Sequence, residues 1–142
     1  MANHPPRQDQ DSIHSTLFLL FNHRLTAAQE TDARASFGVE HIVEPPPEIS
    51  RIWVEIPPDA EEITTHLAPV FSWLAACARL GDYVLIQGEF GATFLLVNEA
   101  IHLGLTPIYS TTRREAVEEH TPDGRVHLRH TFSHVRYRRY AS

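Results

Sequence analysis

The sequence predicts an α/β fold, a Rossmann-like and mostly parallel sheet flanked by helices, with a C-terminal β segment. Three observations carry this. The run from Asp82 to Arg114, DYVLIQGEFGATFLLVNEAIHLGLTPIYSTTRR, reads as apolar strand, glycine turn, amphipathic helix and second strand, which is one β-α-β unit. TLFLLF at Thr16–Phe21 is an unbroken apolar run, the pattern of a strand buried on both faces of a parallel sheet. Beyond a strong turn signal near the C-terminus, apolar residues recur with a period of two in an Arg-rich stretch.

The 142 residues, 42% of them hydrophobic, suffice for one domain with a core and are too few for two. Residues 1–14 are polar, carry Pro5 and Pro6, and are expected to form a disordered leader ahead of a single domain at 15–142. That leader lacks the apolar centre of a signal peptide, and the longest apolar runs are strand-sized, so a soluble cytoplasmic protein with no membrane partner is expected. The lone Cys77 has no partner for an internal disulfide, which fits a reducing compartment.

Taken in order, the strand Thr16–Phe21 runs into Asn22, His23 and Arg24. Thr26-Ala-Ala-Gln29 is a capping-box pattern and Gly38 a stop, giving a helix over about Ala27–Phe37. His41–Glu44 is a short second strand ended by Pro45–Pro47, and the segment around Trp53 has no assignment. Asp59–Leu80 reads as a helix with Ile63, Leu67, Val70, Phe71, Leu74 and Cys77 on one face, kinked or split at Pro69. Tyr83–Gln87 is the next strand, Gly88-Glu89-Phe90-Gly91 its exit turn, and Phe90, Phe94, Val97 and Ile101 repeat at helical spacing up to Gly104. Leu105–Tyr109 is another strand, near an edge or late to start because of Pro107. A loop at Ser110–Arg114 and a short acidic helix at Glu115–His120 follow, then the Thr121-Pro-Asp-Gly124 turn. Val126, Leu128 and Phe132 are even-numbered but Val135 and Tyr137 odd, so a bulge or break near Ser133–His134 is required if both halves share one core.

Net charge is −6, which argues against a general DNA or RNA binder, yet from Arg113 onward the balance is +3 and before it −9. All twelve basic residues are Arg. Schiff-base chemistry, a P-loop lysine and a lysine general base are therefore excluded.

Ligands of open parallel sheets bind outside the carboxyl ends of the strands, so three segments are candidates. Gly88 and Gly91 free backbone N–H groups at a helix start, which suits phosphate, or else form an ordinary tight turn. Ser110, Thr111, Thr112, Arg113 and Arg114 offer three hydroxyls and two guanidiniums to an anion; alternatively one Thr caps the acidic helix and the arginines pair with Glu118 and Glu119. Asn22 and His23 follow the first strand, and an imidazole there is an acid or base near neutral pH, or a surface residue. His127, His130 and His134 fit no standard zinc spacing and read as a solvated basic strand face.

LFLLFNHRLT, GDYVLIQGEFGATFLLVN, PIYSTTRREAVEE and FSHVRYRRY together resemble a small stand-alone CRISPR-associated protein of the Csx group, over about Thr16–Tyr140. Such proteins accompany type III systems and are similar to CARF domains, Rossmann-like sensors of cyclic oligoadenylate. The resemblance implies a ring nuclease, a homodimer that binds cyclic tetra-adenylate across its two-fold axis and linearises it. It implies no metal and no cofactor. The matching positions are Asn22 and His23, Gln87, Gly88, Phe90 and Gly91, and Ser110, Thr111, Thr112, Arg113 and Arg114. Of these, Arg113 would neutralise phosphate, Thr111 and Thr112 position it, and His23 assist proton transfer. The absence of lysine departs from CARF sites that use one.

Overall fold

The computed structural model describes residues 15–140; the leader expected at 1–14 lies outside them. The chain runs β1 (Ser15–Phe21), α1 (Ala27–Phe37), β2 (Val39–Val43), α2 (Pro47–Val54), α3 (Thr64–Cys77), β3 (Tyr83–Gln87), α4 (Phe90–His102), β4 (Thr106–His120) and β5 (Val126–Arg139). The strands form one sheet in the order β2-β1-β3-β4-β5, in which β5 alone is antiparallel.

From β1 the chain moves to β2 on one side, and from β3 to β4 on the other. Right-handed crossovers in opposite directions place their helices on opposite faces. Leu17, Leu19, Leu85, Ile108 and Tyr137 accordingly pack with Ala33 of α1, whereas Phe18, Leu20, Val84 and Ile86 pack with Trp53, Leu67, Val70, Leu74 and Leu96 of α2, α3 and α4. Burial on both faces is why β1 is apolar at every position from Leu17 to Phe21. The helix α1 starts as its sequence specifies: Thr26 Oγ1 accepts from Gln29 N at 3.2 Å, Gln29 Oε1 accepts from Thr26 N at 2.8 Å, and Gly38 closes it at φ 63°.

Several elements differ from expectation. The unassigned Trp53 segment is α2, with Pro47 in its first turn, where a missing N–H costs nothing. α3 begins at Thr64 rather than Asp59, its first N–H groups held by the Glu62 carboxylate at 2.8 and 3.3 Å. It runs unbroken through Pro69, because Pro69 and Thr65 lie on its exposed side and water can take the orphaned carbonyl. Cys77 is exposed, not on the buried face. In α4 the buried stripe is Ala92, Leu96 and Ala100, small residues at both ends that let the helix sit close to the sheet, while Phe90, Phe94 and Ile101 face out. Pro107 is the second residue of an internal strand. Its carbonyl accepts from Tyr140 N just past the end of β5, so its nitrogen faces a place where no ladder bond is needed.

The largest departure is in the C-terminal third. Ser110–Arg114 is not a loop and Glu115–His120 is not a helix; both belong to β4, which pairs with β5 up to His120↔Val126. A hairpin partner across the Thr121–Gly124 turn offers every backbone group a ladder bond, which outweighs the weak helix preference of so short an acidic segment. The register jumps from Thr111↔Arg136 to Thr112↔His134, so Val135 is the extra residue of a β-bulge. The bulge lies next to the expected Ser133–His134 position and does what the parity demanded: Phe132 and Tyr137 fall on one face.

Candidate functional site

The strand registers assemble the three predicted segments. Phe21 pairs with Gln87, and the N–H of Ser110 donates to the Gln87 side-chain oxygen at 2.8 Å, so the ends of β1 and β3 and the midpoint of β4 share one row across the sheet. Above that row β1 turns into Asn22–His23 and β3 into Gly88–Phe90, while β4 and β5 continue upward as a two-stranded arm, residues 112–134. The carboxyl edge between β1 and β3 is where the chain order reverses, the place where doubly wound sheets bind ligands.

Within this edge the residues divide by what their polar groups already hold. Gln87 closes the β3–β4 ladder through Ser110. At Gly88 an added Cβ would stand 2.9 Å from the indole of buried Trp53, whose N–H donates to the Gln87 carbonyl at 3.3 Å; glycine is present here so that Trp53 can press against the backbone. The α4 N-terminus is occupied by its own chain, because the Glu89 carboxylate accepts from Gly91 N at 2.7 Å and Ala92 N at 3.2 Å. The anion-binding potential of the Gly88–Gly91 turn is thus met internally. Thr111 is similarly committed, its hydroxyl donating to the Arg136 carbonyl at 3.0 Å across the bulge.

Ser110 is enclosed in a polar network that no sequence motif announced. Asp32 of α1 accepts from His134 Nε2 at 2.6 Å and from the Ser36 hydroxyl at 2.5 Å. A carboxylate only accepts, so the proton resides on Nε2, and Nδ1 accepts from the Ser110 hydroxyl at 2.6 Å. Gln29 Nε2 completes the chain, donating to Ser110 Oγ at 3.4 Å. The Ser36 hydroxyl, and then His134, hold the Asp32 carboxyl below its ordinary 3.8. Beside them the Tyr137 hydroxyl donates to the Gln29 carbonyl at 2.9 Å, and burial pushes its ionisation well above the usual range. Serine, histidine and aspartate make a hydrolytic triad in name only. Ser110 is 7% exposed, too enclosed to attack a bound substrate, and the network instead fastens the base of the arm to α1.

What remains free at the edge is a smaller set. Asn22, Thr112, Arg113 and Arg114 have no side-chain hydrogen-bond or ion-pair partner among the described residues, and His23 has only an edge contact with Phe21 at 5.4 Å. The arginines do not pair with the acidic run: Glu119 holds Arg129 at 3.2 Å, and His120 lies 4.0 Å from Glu118. As neighbours in a strand, Arg113 and Arg114 point to opposite faces and cannot converge on one phosphate. Thr112 shares the orientation of Ser110, so its N–H is directed over the end of β3, where that strand has already turned away. Phe90, at the start of α4, is 94% exposed. Beside β1 a depression of about 250 Å³ is lined by Asn22, His23, Arg24, Glu44 and Ser50 among others. His127, His130 and His134 are separated: His134 is in the network, while His127 and His130 take opposite faces, so these three form no common metal site.

A family model described as the uncharacterized protein MJ1673 family matches residues 15–138. The chain belongs to the MJ1673 family. It is 44% identical over 124 residues to uncharacterized protein MJ1673 of Methanocaldococcus jannaschii, which is 87% of this chain and 95% of that one. No solved structure matches the chain. The MJ1673-family match begins with β1 and takes in all of the arm, so sheet, edge and arm form one inherited unit. Among the described residues no helix is long and apolar enough to cross a membrane.

Proposed function

We propose that the protein is a metal-independent ring nuclease that binds cyclic tetra-adenylate as a homodimer and opens it, ending the antiviral signal of a type III CRISPR system. The observation that carries the reading is the carboxyl edge of β1, β3 and β4, which keeps a guanidinium, an imidazole and an amide without strong internal partners and carries an exposed aromatic ring. Phosphates suit the first group and an adenine face suits Phe90, since stacking on an exposed aromatic ring is tolerant and strong. In the reaction a ribose 2′-oxygen forms a bond to its own neighbouring phosphorus as the bond to the 5′-oxygen breaks. His23 accepts the 2′-hydroxyl proton, the departing 5′-oxygen takes a proton from water, and the products end in 2′,3′-cyclic phosphate. Arg113 and the Thr112 N–H, which lies in the plane of the sheet, offset the charge on the phosphorane.

The test is incubation of the full chain with cyclic tetra-adenylate in EDTA, with products followed by mass spectrometry. Linear products with cyclic phosphate ends are expected; an intact ring at stoichiometric protein would sink the enzymatic claim. One observation favours a second reading, binding without cleavage: among the described residues no carboxylate or carbonyl orients the His23 ring, as a general base usually requires. Tight binding of an uncut ring would select it.

A further inference from the structure

The arm shows which surface meets the second copy. Its alternation separates two faces. One carries Thr112, Arg114, Ala116, Glu118 and His120 from β4 with Phe132, His130, Leu128 and Val126 from β5; the other carries Arg113, Glu115, Val117 and Glu119 with Ser133, Thr131, Arg129 and His127. The second face is polar but for Val117. The first is apolar along β5 but for His130, yet Phe132 is 67%, Leu128 63% and Val126 52% exposed. Because of the bulge at Val135 this apolar face continues that of buried Tyr137 and Ile108, so the pattern of a core runs on past the point where this chain covers it. A two-stranded ribbon standing alone is marginal in water, and an uncovered apolar stripe along it is an exposure that proteins normally bury.

The spacing of the face identifies its cover. Ala116 pairs with His130 at the centre; two residues to one side lie Arg114 and Phe132, and two to the other lie Glu118 and Leu128. Rotation by 180° about an axis across the strands at Ala116 and His130 sets Arg114 against Glu118 of a second copy, and Phe132 against its Leu128. Each contact occurs twice. The face is thus complementary to itself in charge and in apolarity, which is what an isologous two-fold interface requires. We propose that two chains dimerise by packing these arm faces together, β4 over β4 and β5 over β5, with two Arg114–Glu118 pairs along β4 beside two Phe132–Leu128 contacts along β5. The inference shares with the proposed function only its two-fold dimer and makes Arg114 an interface residue, leaving Arg113 on the opposite face for the ligand.

Sedimentation equilibrium of the full chain without nucleotide tests it. The unaltered chain is expected to be a dimer, Leu128→Asp a monomer, and Arg114→Glu or Glu118→Arg alone to weaken dimerisation at least tenfold. The double variant Arg114→Glu/Glu118→Arg should restore dimerisation to within about threefold, because both pairs are rebuilt in reverse. The three substituted side chains are exposed, so far-UV circular dichroism should stay unchanged. A monomeric unaltered chain, an unweakened dimer in either charge reversal, or a double variant weaker than both singles would overturn the interface. Ring cleavage is read separately: a dimer that leaves the ring intact refutes the nuclease and keeps the arm interface, whereas a monomer that cleaves does the reverse.

Discussion

Replacing His134 by alanine removes the hub that ties the arm to the sheet. The imidazole side chain is 5% exposed and makes two bonds of 2.6 Å, one to the Asp32 carboxylate and one to Ser110, while its ring stands 4.6 Å from Tyr137. A hydrogen bond to a charged partner contributes about 1.5–3 kcal/mol and a neutral one about 1 kcal/mol. The loss should therefore be about 3 kcal/mol, some of it recovered because Asp32 retains Ser36 and Ser110 retains Gln29. For a domain of this size that lowers the melting temperature by roughly 10 °C. The assay is urea unfolding followed by Trp53 and Trp73 fluorescence, on His134→Ala, Asp32→Ala and the double variant. Residues that share a bond couple, so the double should fall short of the sum of the singles by about 1–2 kcal/mol. A loss below about 1 kcal/mol for His134→Ala, or additivity within about 0.3 kcal/mol, would refute the network as the fastening of the arm.

Three further outcomes follow from the same geometry. Gly88→Ala forces a Cβ to within 2.9 Å of the Trp53 indole and should cost about 1–3 kcal/mol by urea titration, as overpacking does; no loss would mean that the ring moves freely. Asp32 is held below its unfolded value of 3.8, so its contribution is complete above that pH and is lost as pH falls through the lower folded value; Asp32→Asn should flatten the stability curve below about pH 4, and an unchanged acid limb contradicts the assignment. Phe90→Ala should leave the melting temperature within about 2 °C, because the ring is 94% exposed, yet weaken binding of uncut cyclic tetra-adenylate roughly tenfold or more; calorimetry reads the second and unaltered affinity would remove Phe90 from the site.

The parallel part of the fold was legible because its signals are local. Leu17–Leu20 are apolar without a break, and the Thr26–Gln29 box and Gly38 delimit α1 by themselves. The arm was not legible in the same way, because its state is set by pairing between residues as far apart as Thr112 and His134, and the sequence from Glu115 to His120 taken alone is acidic and helix-compatible. The parity change between Phe132 and Val135 was the one local trace of that pairing, and the bulge at Val135 accounts for it. At the candidate site, the three segments marked in the sequence meet along one edge, but the division of labour among them was not legible. Gly88 and Gly91 have the pattern of a phosphate turn, yet Trp53 fills the space and Glu89 takes the donors. Asp32 and His134, 102 positions apart, meet only once β5 folds back along β4 beside α1.

The central claim is that the carboxyl edge holds cyclic oligoadenylate through Arg113 and its neighbours. Calorimetric titration of the full chain with a non-hydrolysable cyclic tetra-adenylate tests this most directly. Saturable binding is expected, abolished in Arg113→Ala. Absence of heat in the unaltered chain, or an unchanged isotherm after the arginine is removed, would contradict the account.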